Sequence, residues 1–312
     1  MERQTENKIV LVKRRTRLED LVARFNTVSQ AKFYIEHMGS DFSDYIAEDR
    51  QYKQSISDAY KQLEVLGRVQ ILDREFIPNF IFGGNDIVVV IGQDGLVANT
   101  MKYLSDQSLI GVNPDPTRWD GILLPFSVNE LKFVVPDVIK HKRPAKEVTM
   151  AKAVINDGQT IYAVNDLFIG QKTHVSSRYR IMLGAGHEYQ SSSGIIVSTG
   201  LGSTGWLKSV LSGAQSLVSG ISDNKTKNQL PKSLPWDADY LYFSVREPFP
   251  SKVSKTEIVF GKVTQETPLK VLSQMPENGV IFSDGIESDF IQFNSGIEAT
   301  ITIAEKKGKL VV

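Results

Sequence analysis

Residues 87–91 read Ile-Val-Val-Val-Ile and run directly into Gly92-Gln93-Asp94-Gly95. A strand with no polar side chain needs cover on both faces, which points to a parallel sheet between helices rather than a sheet with one wet face. The glycine turn then opens a helical pattern through Met101 and Leu104, and Leu109 to Val112 reads as the next strand. Strand, tight turn, helix and strand in that order predict crossover units on a parallel sheet.

The preceding segment agrees. Ile9 to Val12 is a short apolar strand, and Thr16 with Glu19 has the capping-box spacing that satisfies the free amides opening a helix. Leu18, Leu21, Val22, Phe25 and Val28 follow at helical period, predicting one helix with a buried face. A second helical stretch ends near Ala59, Leu63, Leu66 and Gly67, and Val69 to Leu72 reads as a weak strand.

Beyond the Pro- and Lys-rich segment 141–146 the texture changes. Val148–Val154, Thr160–Val164, Arg178–Leu183, Gly194–Ser198, Tyr240–Val245, Thr256–Phe260, Leu269–Leu272, Gly279–Phe282 and Ala299–Ala304 read as short strands separated by turn residues. One helix, Ser203 to about Val218, interrupts them, and a short basic and apolar tail follows Ala304. The predicted fold class is an α/β domain with a parallel sheet over residues 1–147, followed by a mainly β domain over 148–312. Asp223 to Pro235 is polar and reads as a loop.

Composition removes several chemistries. With no cysteine among 312 residues, disulfide frameworks, thiolate nucleophiles and Cys-bound zinc or iron–sulfur centres are excluded. Lys+Arg 36 against Asp+Glu 36 leaves no global field to recruit nucleic acid or anionic lipid, so any bound anion must be held locally. No apolar run approaches the roughly 20 residues of a membrane helix, and a cytoplasmic protein is the expectation.

Two glycine-rich turns are the candidate sites. At Gly92-Gln93-Asp94-Gly95, glycines allow close approach of backbone amides to an oxyanion, and a helix amino terminus favours phosphate. Asp94 stands at the carboxyl end of a strand, where open α/β sheets bind ligands. A carboxylate among phosphates makes sense if it takes a proton from a hydroxyl nucleophile; otherwise Asp94 is a helix cap. Ser198-Thr199-Gly200-Leu201-Gly202-Ser203-Thr204-Gly205-Trp206 offers three glycines and four hydroxyls within nine residues, the profile of a nucleotide-binding loop. Gly200, Gly202 and Gly205 also satisfy G-x-G-x-x-G, but no apolar strand precedes the acidic Asp223 that a dinucleotide fingerprint would need. Asn165-Asp166 could hold ribose hydroxyls or end a strand, and His187-Glu188 reads as a polar turn or a proton-relay pair.

Taken in order, these motifs resemble those of the NAD kinase family, whose pattern is G-G-D-G-T, then Asn-Glu, then S-T-P-T-G-S-T-A-Y followed by Lys-Ser. Here the sequence has Gly92 to Leu96, Asn165-Asp166, Ser198 to Trp206 and Lys208-Ser209, with a late Ser283-Asp284-Gly285 turn. Gly111-Val112-Asn113-Pro114 and Arg246-Glu247-Pro248 look most like the branch with mitochondrial-type enzymes and bacterial relatives. The resemblance implies ATP-dependent phosphorylation of the 2′-hydroxyl of NAD, with Mg²⁺ accompanying ATP, and a homo-oligomer. It implies Asp94 as the catalytic carboxylate; Gly92, Gly95, Ser198, Thr199, Gly202 and Ser203 at the nucleotide phosphates; and Asn165, Asp166, Thr204, Gly205, Trp206 and Ser209 around the acceptor. Gln93, Leu96, Gly200 and Ser193 replace the family's Gly, Thr, Pro and Asp, which keeps a kinase with a sugar or lipid acceptor, or a silent nucleotide-binding regulator, in view.

Overall fold

The computed structural model describes residues 5–221, 234–286 and 289–312; most of the polar stretch 223–235 lies outside them. The chain forms two compact units, residues 1–146 together with 309–312, and residues 147–308. Among the described residues no helix is long and apolar enough to cross a membrane.

The first unit runs β1 (Lys8–Lys13), α1 (Arg17–Phe25), α2 (Val28–His37), α3 (Ser43–Glu64), β2 (Arg68–Asp73), β3 (Ile87–Ile91), α4 (Asp94–Met101), β4 (Ser108–Asn113), β5 (Phe126–Ser127) and α5 (Leu131–Ile139). Its strands are parallel in the order β2-β1-β3-β4, with β5 also parallel to β4. β3 is buried at all five positions, as its composition requires. Ile9, Leu11, Val89, Ile91 and Ile110 pack against Tyr52, Ala59 and Leu63 of α3 and Leu131, Val134 and Val135 of α5.

The predicted capping box forms: the Glu19 N–H donates to Thr16 Oγ1 at 3.1 Å, and the Thr16 N–H donates to the Glu19 carboxylate at 3.0 Å. The helix that the periodicity carries to Val28 instead stops at Phe25. Asn26 takes φ +66° and Thr27 caps a new helix, so Val28 opens α2. A polar cap immediately before an apolar position lets the hydrophobic pattern continue across a break in the helix.

The second unit contains most of β6 (Ala145–Ile155), then β7 (Thr160–Ala163), β8 (Asp166–Gln171), β9 (Ser177–Leu183), β10 (Gly186–Ser192), β11 (Ile195–Ser198), α6 (Trp206–Ile221), β12 (Leu241–Val245), β13 (Phe260–Val263), β14 (Leu269–Ser273), β15 (Gly279–Ser283), β16 (Phe290–Gln292) and β17 (Glu298–Val311). An antiparallel sheet in the order β13-β12-β11-β8-β15-β16 faces a layer containing β10, β9, β14, β17, β6 and β7. Between them lie Leu167, Ile169, Ile195, Val197 and Phe243 from the first and Tyr179, Ile181, Val271, Ala299 and Ile301 from the second. The other face of the six-stranded sheet packs Phe168, Ile196 and Val280 against Trp206 and Val210 of α6.

Four expectations change. Asn165 lies in the turn that follows β7, while Asp166 opens β8, a strand not expected there, and Thr256 to Phe260 is largely irregular before β13. The tail after Ala304 continues β17, whose Lys309 and Leu310 pair in parallel with Ser108 and Leu109 inside the first unit. His187 and Glu188 lie within β10, not in a turn.

Glu188 is buried, and its carboxylate accepts the N–H groups of Glu257 at 3.0 Å and Ile258 at 2.9 Å and the Gln190 amide. A buried carboxylate supplied with donors anchors the irregular segment before β13. Glu188→Ala leaves those amides unpaired, and a loss of about 2–4 kcal/mol in unfolding free energy is expected, measured by denaturant titration.

Candidate functional site

In the first unit the strand order reverses between β1 and β3, with β2 following on one side and β3 on the other, and this is where open α/β sheets take ligands. The Tyr52 hydroxyl from α3 donates to the Ile91 carbonyl at 2.8 Å and accepts the Arg14 N–H at 3.0 Å, tying the carboxyl ends of the two strands together. Arg14 in turn pairs with the buried Glu48 at 2.9 Å. Burial of the Tyr52 phenol pushes its pKa up to about 12, so it stays a neutral donor.

Gly92 is buried at this point and Gly95 is exposed at the start of α4, where a Cβ would meet nothing within 4 Å. Leu96 is buried, which accounts for an apolar side chain after the turn. The Asp94 carboxylate accepts the N–H of Leu123 at 2.8 Å and of Ile122 at 3.3 Å. It therefore holds the loop after β4 in place. That loop is also seated by Asn113, whose side chain donates to the Trp119 carbonyl at 2.9 Å and accepts the Asp115 N–H at 3.0 Å.

In the second unit a cavity of about 330 Å³ is lined by Asn165, Asp166, Gly202, Thr204, Gly205 and Trp206, with Leu201, Asp284 and Gly285. Trp206 closes one side, its ring stacked on Phe168 at 5.8 Å and under the Arg246 guanidinium at 5.4 Å. The close fit of the loop on the strand rests on Gly202, where a Cβ would lie 2.2 Å from the Asn165 carbonyl oxygen and 2.9 Å from Asp166 Oδ1.

The hydroxyls of the loop do not all face this cavity. Ser198 and Thr199 are fully buried, and Thr199 Oγ1 donates to the Val164 carbonyl at 2.6 Å while accepting the Gly202 N–H at 3.1 Å. Ser203 donates to the Gly200 carbonyl at 2.7 Å, Thr204 to the Leu201 carbonyl at 3.3 Å and Ser209 to the Gly205 carbonyl at 3.3 Å. They shape the loop by bonding its own backbone, which is the usual tendency of Ser and Thr in turns. Of the expected acceptor residues, Asn165, Asp166, Thr204, Gly205 and Trp206 converge on the cavity and Ser209 does not line it.

Asp284 belongs to the site, although only its turn motif marked it in the sequence. With φ +54°, it accepts the N–H of Val164 at 3.1 Å, Asn165 at 2.6 Å and Asp166 at 3.3 Å. Asp166 Oδ1 is buried and has no hydrogen-bond partner. Burial, and then the neighbouring Asp284 charge, push the Asp166 carboxyl up to about 7, against an opposing hydrogen bond from Ser198.

No protein-family model matches the sequence. No curated protein does either. Solved structures do match. An NAD kinase from Archaeoglobus fulgidus, in complex with ATP, aligns with a TM-score of 0.58 at 16% identity over 98% of this chain and 93% of that one. Yeast NADH kinase, complexed with NADH, aligns with a TM-score of 0.55 at 12% identity over 99% of this chain and 84% of that one. A parallel α/β unit followed by a β-sandwich unit is the NAD kinase-like fold.

Proposed function

We propose that this protein phosphorylates the 2′-hydroxyl of NAD with ATP as donor. The observation that carries the reading is the cavity of the second unit, where a buried carboxyl, Asp166, and a flat aromatic wall, Trp206, flank a glycine-rich loop. That combination suits a nucleoside, with hydroxyls for the carboxyl and a base for the indole. The first unit contributes a glycine turn at a helix amino terminus, a site suited to donor phosphates. The structural neighbours were solved with ATP and with NADH, which supports nucleotides as both substrates.

Among the described residues no group of three or more His, Asp or Glu side chains is placed to hold a metal. A Mg²⁺ arriving on the nucleotide phosphates would offset their charge during transfer.

The test is NADP formation by the purified protein with ATP, Mg²⁺ and NAD. Asp94→Asn, which places an amide N–H₂ where an acceptor now faces two backbone N–H groups, is expected to lower the rate at least about tenfold by loosening the loop after β4. Faster hydrogen exchange at Ile122 and Leu123 reports the same change independently. Absence of NADP, or a wild-type rate in Asp94→Asn, rejects the reading; ADP release with a different hydroxyl compound moves the acceptor elsewhere.

A further inference from the structure

Two carboxyl groups meet at the floor of the cavity in the second unit, and their surroundings differ sharply. Three successive backbone N–H groups, from Val164, Asn165 and Asp166, point at Asp284. Donors of that kind favour the charged form of a carboxyl group. Asp166 has the opposite setting: its Oδ1 is sealed against Gly202 with no donor at all. Half of an anion on an unpartnered buried oxygen is costly, whereas the same atom as the C=O of a neutral acid costs much less. Oδ2 is then the oxygen left to exchange a proton with a ligand in the cavity.

We propose that Asp166 is the catalytic base for the acceptor hydroxyl, and that Asp284 is a positioning residue that fixes the Asn165-Asp166 turn and keeps Asp166 basic. The proposal rests on the kinase reading given above. In the step, the acceptor O–H proton passes to Asp166 Oδ2 as the acceptor oxygen bonds to the terminal phosphorus of a nucleoside triphosphate. The bond from that phosphorus to the bridging oxygen breaks, and its electron pair stays on the departing nucleoside diphosphate.

Two carboxyl groups held apart in proton affinity are what acid–base work needs, since a base acts best when it titrates near the working pH. The rise of the Asp166 carboxyl to about 7 agrees with this arrangement. Among the described residues, Asp284 on the turn after β15 is the other titratable group lining the cavity, and the side chains from 201–206 bring none. Ser198, opposite Asp166 in the β11–β8 register, acts in the reverse sense by hydrogen bonding. Asp94, by contrast, spends both carboxylate oxygens on the amides of Ile122 and Leu123.

The experiment follows NADP formation by the full chain over about pH 5.5 to 9, with NAD affinity measured by calorimetry and folding checked by thermal melting. Asp166→Asn is expected to lower kcat about 10²- to 10⁴-fold, with NAD affinity changed far less. Asp284→Asn removes a charge that raises the Asp166 pKa, so the acid limb moves to lower pH. Ser198→Ala removes a bond that lowers it, so the limb moves to higher pH. A purely structural role for either residue would reduce rates without these opposed shifts.

A kcat for Asp166→Asn within about threefold of wild type, or limbs that do not move, overturns the proposal. If wild-type protein forms no NADP, the kinase reading itself has failed, and carboxyl-carbon NMR of Asp166 decides the remainder. Titration near neutral pH that falls in Asp284→Asn supports the proton-exchanging pair, and titration in the ordinary aspartate range overturns it. The same titration decides the case if Asp166→Asn does not fold.

Discussion

Gly202→Ala is expected to lower acceptor affinity about 100-fold or more. The new methyl would stand 2.2 Å from the Asn165 carbonyl oxygen and 2.9 Å from Asp166 Oδ1, closer than side-chain carbons come to such atoms. The first neighbour is backbone at the head of β8, so relief requires the loop or the strand end to move by about an ångström, and displacements of that size cost roughly 10²-fold at a reacting site. Overpacking adds about 1–3 kcal/mol of destabilisation. Calorimetry with NAD and a melting curve measure both. Gly213→Ala on α6, where a Cβ meets nothing within 4 Å, is the control, and there added helix propensity predicts an unchanged or slightly higher melting temperature. Affinity retained within about threefold in Gly202→Ala would mean that the cavity is not where the acceptor sits.

The second large effect is expected at Gly111 in β4. A Cβ there would lie 2.0 Å from the Leu123 carbonyl oxygen, because the loop after β4 folds back over the strand it leaves. The loop is held down by Asn113 at one point and Asp94 at another. Gly111→Ala lifts it from both, with a loss of about 3 kcal/mol and a fall of about 5–10 °C in the first unit's melting transition. Hydrogen exchange at Leu123 should accelerate in parallel, since its N–H loses the Asp94 carboxylate. An unchanged transition would show that the loop can leave β4 without cost.

These two glycines also mark what the sequence could convey. The apolar run 87–91, the glycine turn behind it and the change of texture after 146 were readable because each is a local signal, and the parallel and antiparallel sheets follow from them. The strand β10 was not readable, since Glu188, Gln190 and Ser192 point polar atoms inward, and the partners of Glu188 and the Gln190 amide N–H₂ include Glu257 and Ile258, far along the chain. β8 was hidden by the pair at its start, since Asn165 forms the turn and Asp166 opens the strand, and together they signal only a turn. The hydroxyls of Ser198 and Thr199, expected at the nucleotide, turn inward to backbone carbonyls, that of Thr199 in the loop and that of Val164 before β8. Asp284 lies about 120 residues from the amides it accepts, and strand register of that range leaves no trace in local pattern.

β17 has a consequence for synthesis. Its early residues belong to the sandwich, while Lys309 and Leu310 supply a parallel partner to β4 beside β1, β2, β3 and β5, which all end by residue 127. On the ribosome, that flank of β4 waits while residues 147–308 are made, about 10–30 s at ~5–20 residues per second. For that interval the Ser108 and Leu109 end of the strand is an open hydrogen-bonding edge, the kind of surface that chaperones shield and neighbouring nascent chains can capture. The residues that close this flank of β4 are thus translated only after the whole of residues 147–308.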